Sequence, residues 1–370
     1  MELKKTPFYQ RHIQENGRMV DFFGWALAVE YESMLAEAKS VRKTCGMFDA
    51  SHMGQIIIKG EGCFDFLQYL TCNDVLTIGK GQMQYNLLLN AQAGVIDDLM
   101  VYHLGDSLLC VVNALNKDKV FDWFRQNLAN NVEISDESDK VALVSVQGEG
   151  SEKIIDKVFG KDVAELRYLH FIQKQIDNSQ VLISRSGYTG EDGFEVYLPW
   201  EKGGHWWDKI KQAGKEFGLV LCGLGARDIL RTEAGYPLYG HELNDKITPY
   251  QAGLGWVVRL NKDFIGKKVL LEEKQKGPDK KRIGFVMLER SFPRQDYPIF
   301  LDEKEIGFVT SGVYSPNKEA FIGMGYVQAD CVKLDNEINI SVRGRLPKAK
   351  VTNFPFVVTR TKKVKLVKEG

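Results

Sequence analysis

Apolar and polar positions alternate along this chain with more than one period. Residues 32–45 (ESMLAEAKSVRKTC) space Met34, Leu35, Ala38 and Val41 to share one face of a helix. Residues 55–59 (QIIIK) and 108–113 (LLCVVN) are short apolar runs of strand length. From 118 to 129, Val120, Phe121, Trp123, Phe124 and Leu128 recur at helical spacing and predict an amphipathic helix with those side chains inward. Strands then alternate with helices up to residue 260. The even strand–helix–strand rhythm of a doubly wound parallel sheet is missing, so the pattern predicts an α+β fold.

The pattern changes near residue 272. Residues 272–282 (EEKQKGPDKKR) are almost wholly polar around Gly277-Pro278, which suits an exposed linker. Beyond it, IGFVMLE, EIGFVTSG, FIGMGYVQA, INISVRG and KAKVTNFPFVV are β-rich runs parted by turn residues, as in a small β-barrel or sandwich. The expected division is therefore a first region over 1–271, a linker over 272–282 and a β domain over 283–370. A length of 370 residues agrees, being too great for one ordinary core.

Composition narrows the function classes. Apolar residues make up 44% and charged residues 26%, which is globular rather than disordered. The 49 basic and 49 acidic residues cancel, so nothing in the balance calls for nucleic acid or an anionic membrane. Six cysteines occur without CxxC spacing, so neither a zinc ribbon nor a thioredoxin-type site is legible; reduced thiols and no metal are expected. The start, MELKKTPFYQ, lacks the apolar core of a signal peptide, and no run is long enough to span a bilayer. A cytoplasmic protein fits, as does a mature organelle protein shorn of its leader.

Three segments carry candidate chemistry. In Gly94-Val-Ile-Asp97-Asp98-Leu-Met-Val-Tyr102, two adjacent carboxylates interrupt an apolar strand. Neighbours on a strand point to opposite faces, so only one of the two can share the face of Ile96, Met100 and Tyr102. A carboxylate among apolar side chains has a raised pKa and exchanges protons near neutrality. Periodicity does not choose between Asp97 and Asp98, and a solvated strand end is the competing reading. In Ser184 to Tyr197, Gly187, Gly190 and Gly193 make a tight turn between two strands; no phosphate-loop lysine follows. Phe194, Val196 and Leu198 then line one face, and Glu195 and Tyr197 the other. A carboxylate beside aromatic rings suits a flat heterocycle with N–H donors, whereas a solvated hairpin face is the plainer alternative. The third segment, Gly223 to Glu242, reads as a helix over 225–234 ended by Gly235. Arg227 falls in its first turn, where the helix dipole disfavours a cation, which suggests a task such as fixing a carboxylate. His241 has no partner at metal-ligand or triad spacing and reads as structural.

Taken in order, these segments resemble the T-protein family of the glycine cleavage system. The match runs from KKTPFY (4–9) and FFGWALAVEY (22–31) through VRKTCGMFDASHMG (41–54), Asn90 to Tyr102, SRSGYTGEDGFE (184–195) and GLGARDILRTEAGYPLYGHEL (223–243) to NKDFIGK (261–267). EIGFVTSG, SP and GMGYV extend it into the terminal module. The resemblance implies a multidomain cloverleaf: a folate-binding α+β region of two interleaved subdomains and a C-terminal β-barrel. It implies an aminomethyltransferase that takes a one-carbon unit from the lipoyl group of a carrier, the H-protein, and passes it to tetrahydrofolate. Ammonia and 5,10-methylenetetrahydrofolate are the products, and the enzyme is expected to act as a monomer. The family's catalytic aspartate matches the second of the pair, Asp98. Glu195 matches the residue that holds the pterin edge, and Arg227 is implied to sit near Asp98 and the lipoyl arm. Tyr85, Asn113, Tyr168, Tyr188 and Tyr236 are implied pocket walls.

Ala28, Ala93 and Asn86 depart from the family's usual proline, glycine and Ser/Thr, and the tail VVTRTKK lacks a tyrosine that some relatives carry; Arg360 is the available substitute. The main rival is a folate-binding paralogue serving iron–sulfur protein maturation. That group's Lys-Gly-Cys signature is absent here, where Asn261-Lys-Asp-Phe-Ile-Gly-Lys stands instead. A folate domain fused to a flavin oxidase would need a dinucleotide-binding stretch that this chain lacks. A two-carboxylate hydrolase using Asp97 or Asp98 with Glu195 would need a polar, water-filled cleft.

Overall fold

The computed structural model describes residues 2–361. The elements that carry the site are, in chain order, helix α1 (Met34–Lys43), strands β1 (Met83–Leu89), β2 (Val95–His103) and β3 (Ser107–Val112), helix α2 (Lys117–Gln126), strands β4 (Ser179–Arg185) and β5 (Gly193–Pro199), and helix α3 (Leu224–Glu233).

Two sheets dominate the first 260 residues. One has six strands in the order Phe171–Ile176, β4, β5, Val141–Gln147, Cys45–Asp49, Leu219–Cys222. The other has five antiparallel strands in the order β1, β2, β3, Gly54–Lys59, Glu133–Asp136. The chain lays down Cys45–Asp49, builds the whole five-stranded sheet, and only then returns to complete the six-stranded one. The two subdomains are thus interleaved, with the second inserted between strands of the first. A short three-stranded sheet near the N-terminus adds Lys4–Lys5, Trp25–Glu30 and Arg18–Phe22.

Each sheet buries its own core. Phe194, Val196 and Leu198 of β5 join Trp206, Trp207 and Ile210 under the six-stranded sheet. Leu99 and Val101 of β2 join Val120 and Phe124 of α2 under the five-stranded one. Leu128, expected inward, lies beyond the end of α2 at Gln126 and is exposed, because the helix stops before bringing it round. Leu35 of α1 is also exposed, while Ala38 and Val41 are buried and Met34 packs at the core's edge.

From Lys280 the chain forms a closed antiparallel barrel of six strands. The polar stretch 272–282 is exposed for most of its length but is no irregular linker: helix Lys267–Lys276 runs into it and the first barrel strand, Lys280–Met287, starts inside it. Ala226, Ile229 and Leu230 of α3 pack with Val41 of α1 and with Val313, Ile322 and Met324 of the barrel. Helix α3 is therefore the shared wall between the barrel and the α+β region.

Candidate active site

Strand β2 presents the paired carboxylates. Its register against β1 slips between Leu88 and Leu89, so that Leu89 faces Val95 and Leu88 faces Asp97, leaving Ile96 in a bulge. Ile96 accordingly packs with Leu99 and Val101, not on the face of Met100 and Tyr102 where strict alternation would set it. Asp97 and Asp98 part to opposite faces. Asp97 is fully buried; it accepts from the Asn113 backbone N–H at 3.0 Å, the Asn113 amide at 2.8 Å and the Asn116 amide at 2.7 Å. Asp98 is half-buried on the face of Met100 and Tyr102 and accepts from the Tyr85 hydroxyl at 3.0 Å and the Asn113 amide at 2.8 Å.

Strand β5 supplies the second carboxylate. Its partition is the one expected: Phe194, Val196 and Leu198 face the core, and Glu195 and Tyr197 the other side. The Tyr102 and Tyr197 hydroxyls meet at 2.7 Å, pinning β2 and β5 face to face from different sheets. Asp98 lies four residues from one member of that pin and Glu195 two from the other, so both carboxylates open into the same inter-sheet space. Ser186 donates to Glu195 at 2.6 Å and stands 3.0 Å from Ser184, which contacts Tyr102 at 3.2 Å. A polar chain thus runs from the pin to the carboxylate.

The turn between β4 and β5 is built on glycine for steric reasons. A β-carbon at Gly187 would fall 1.9 Å from Gln147 Oε1, and Gly190 has φ +77°. This close packing brings Tyr188 over the site. Its ring stacks on Tyr236 at 5.8 Å, its hydroxyl donates to the Pro237 carbonyl, and the Arg227 guanidinium lies 5.0 Å from its centroid. Arg227 is in the first turn of α3, as expected, and among the described residues its side chain has no hydrogen bond or ion pair. It does not pair directly with Asp98; its charge instead acts on both Asp98 and Glu195 across the space between them. Tyr168 feels Tyr236 and Glu195 and completes that wall.

Burial dominates the electrostatics. It pushes the carboxyls of Asp98 and Glu195 above the ordinary range, opposed at Asp98 by Tyr85, Asn113 and Arg227, and at Glu195 by Ser186 and Arg227. Burial and the neighbouring Asp98 charge raise Asp97 likewise. Desolvation lowers the Arg227 pKa. The arrangement is three acids of raised proton affinity, a cation with no counter-ion among the described residues, and stacked aromatic rings.

Other residues here were not legible as site residues. Trp256 stacks on Tyr85 at 6.0 Å and is 61% exposed, extending the aromatic wall outward. Asn116 holds Asp97 and Ser186 holds Glu195, and His52, buried with neither ring nitrogen hydrogen-bonded, feels the Arg227 charge. A donor placed one or two residues from an acid gives no sequence signal. The tail reaches the site's rim: the Arg360 backbone donates to the Gly190 carbonyl at 2.9 Å and its guanidinium to the Arg42 carbonyl at 2.7 Å. His241 is satisfied structurally against the Thr310 carbonyl at 3.0 Å.

The chain is also similar to known proteins over nearly its whole length. Residues 8–262 match the model of the GCVT N-terminal domain, and residues 280–357 that of the glycine cleavage T-protein C-terminal barrel domain. The chain is 42% identical over 365 residues to an aminomethyltransferase of Caldanaerobacter subterraneus subsp. tengcongensis, covering 98% of each chain. It is 43% identical over 357 residues to an aminomethyltransferase of Halothermothrix orenii, covering 96% of this chain and all of that one. Among solved structures it superposes with a TM-score of 0.90 on the glycine cleavage system aminomethyltransferase T from Bartonella henselae, at 31% identity over 97% of this chain and 99% of that one.

Proposed function

The chain belongs to the glycine cleavage T-protein family and is an aminomethyltransferase, and from that premise we propose that Asp98 is its catalytic residue and that Glu195 and Arg227 hold tetrahydrofolate between the two sheets. The one-carbon donor in this reading is an aminomethyl group on the lipoyl arm of the H-protein, presented in trans, with ammonia as the leaving group. The cytoplasm is its place of action. The observation that carries the proposal is the hydroxyl pin between Tyr102 and Tyr197, which sets Asp98 and Glu195 on facing strands, with Arg227, unpaired among the described residues, acting on both.

The residues suit the co-substrate. Glu195 has one carboxylate oxygen engaged by Ser186 and offers its remaining acceptor capacity to paired N–H donors of a pterin edge. The Tyr188–Tyr236 stack and the Tyr85–Trp256 stack supply flat apolar walls for rings. Arg227, lacking a counter-ion among the described residues, meets an anionic or carbonyl oxygen.

Asp98 accepts a hydrogen bond from the attacking folate nitrogen, orients it, and takes up the proton released when that nitrogen forms its new bond to carbon. Tyr85 and Asn113 fix the carboxylate for this task. The rings exclude water, which matters because water attacking the same carbon would release formaldehyde. Nothing in these observations favours the iron–sulfur maturation role. Asp98→Asn keeps the shape and removes the proton acceptor. Thermal unfolding is expected to be unchanged, while production of ammonia and methylenetetrahydrofolate from an aminomethylated carrier falls by about 10²–10⁴. Turnover at the wild-type rate in that variant would refute the assignment.

A further inference from the structure

Asp97 is a buried acid at the site for which the mechanism above has no use. It has no ion-pair partner among the described residues, and its three contacts are all N–H donors from Asn113 and Asn116. The Asn113 amide nitrogen lies 2.8 Å from an oxygen of Asp97 and 2.8 Å from an oxygen of Asp98. One nitrogen thus grips both carboxyls, and those oxygens are no farther apart than twice that contact.

The surroundings offer little charge to balance two anions. On the Asp97 side stand Asn116 and, beyond it, Tyr239, whose hydroxyl meets Lys119 at 2.7 Å; Lys119 is itself paired with Asp245. On the Asp98 side stand Tyr85 and Tyr188, with Arg227 acting at longer range. Two carboxylates this close, with one cation at longer range that has no counter-ion among the described residues, do not both ionise readily, and like charges sharing a site separate their titrations.

We propose that Asp97 is a positioning residue that forms, through Asn113, a two-carboxyl unit with Asp98 retaining a single proton near neutral pH. The unit sets the pH range over which Asp98 can accept a proton. This rests on the assignment of Asp98 as the proton acceptor. Burial raises both carboxyls, and the Asp98 charge raises Asp97 further in the same direction.

The test is a carboxyl ¹³C NMR titration of the free, full-length protein labelled at aspartate, with rate–pH profiles alongside. In the wild type, the site carboxyls are expected to titrate in two steps, one of them well above the ordinary carboxylate range. Asp97→Asn should abolish that upper step, and the branch of the rate–pH profile it governs should vanish with it. Asn116→Ala, which strips one donor from Asp97 and leaves Asp98 untouched, should move the upper step to higher pH and keeps the test available if the first variant does not fold. An upper step that persists in Asp97→Asn, or its absence from the wild type, overturns the proposal. Because the titration uses no substrate, it stands apart from the catalytic assignment: an active Asp98→Asn enzyme would sink that assignment and leave the titration result intact.

Discussion

Gly187→Ala isolates the steric logic of the turn that carries Tyr188. The new β-carbon would lie 1.9 Å from Gln147 Oε1 and 2.4 Å from its Cδ and Nε2. Carbon needs about 3.5 Å from such neighbours, so one side must move by about 1.5 Å. A long side chain usually yields cheaply, but this one is fully buried and engaged at both ends. Its Nε2 donates to Ser145 Oγ and to the Ser186 carbonyl, each at 3.0 Å, and its Oε1 accepts from Thr189 at 2.9 Å. Three hydrogen bonds worth about 1 kcal/mol each, and more where a buried group is left unsatisfied, put the loss at about 2–4 kcal/mol. Urea unfolding should register it as a lower midpoint at unchanged m-value. A double-mutant cycle sharpens the test. Gln147→Ala alone costs a similar amount, but it empties the space that the added methyl needs, so adding Gly187→Ala to it should cost under about 0.5 kcal/mol. A Gly187→Ala protein of wild-type stability, or strictly additive losses in the double variant, would refute the steric account.

Three further outcomes follow from the site. Glu195→Ala removes the carboxylate proposed to hydrogen-bond a bound ring edge; at about 1.5–3 kcal/mol for bonds to a charged group, the tetrahydrofolate Kd measured by calorimetry should rise roughly 10- to 150-fold, with a smaller change in kcat. Tyr85→Phe keeps the stack on Trp256 but removes the donor to Asp98. That donor holds the Asp98 pKa down, so its loss should shift the acid limb of the kcat–pH profile upward by about 1 unit; an unmoved limb would argue against Asp98 as the titrating group. His52 is buried beside Arg227 with its pKa lowered to about 3, mainly by desolvation, so it stays neutral in the folded protein while an unfolded imidazole protonates below about 6.5. The unfolded state therefore gains protons first as pH falls, and stability should drop by up to about 1.4 kcal/mol per unit across that window; His52→Phe should flatten the slope in acid denaturation curves.

How much of this was legible in the sequence depended on the range of the interaction involved. Helix α3 and its end at Gly235 follow from local spacing, and Gly235, at φ +73°, closes the helix as the pattern requires. The partition of Glu195 and Tyr197 from Phe194, Val196 and Leu198 follows from a period of two on an unbroken strand. The same rule misplaces Ile96, because the bulge beside it depends on pairing with β1, which the residues of β2 do not encode by themselves. Residues 272–282 read as a linker for a related reason: lysines and glutamates form an exposed helix as readily as a loop, and the anchor of helix Lys267–Lys276 is Leu270, upstream of the stretch and buried in one cluster with Tyr326 of the barrel. Arg227 was singled out because a cation at a helix N-terminus is locally unfavourable. Its isolation among the described residues could emerge only once the neighbouring acids were placed elsewhere.

The interleaved topology explains why the site needs both sheets at once. Asp98 belongs to a sheet inserted whole between strands of the sheet that carries Glu195, so neither half can bring the two carboxylates together alone. What joins them is the hydroxyl contact of Tyr102 with Tyr197, together with the shared packing of Met83, Leu109, Leu143 and Phe171 between the sheets. Because a strand advances about 3.3 Å per residue, the positions of Asp98 and Glu195 relative to that pin are set by backbone lengths rather than by flexible side chains. A site built in this way is pre-organised, which suits a reaction whose carbon must meet a folate nitrogen before water reaches it. Helix α3, pressed between this region and the barrel, lends Arg227 the same rigidity. On the proposed role of Arg227, the terminal barrel thereby helps to hold the site, although among the described residues it contributes none of the carboxylates.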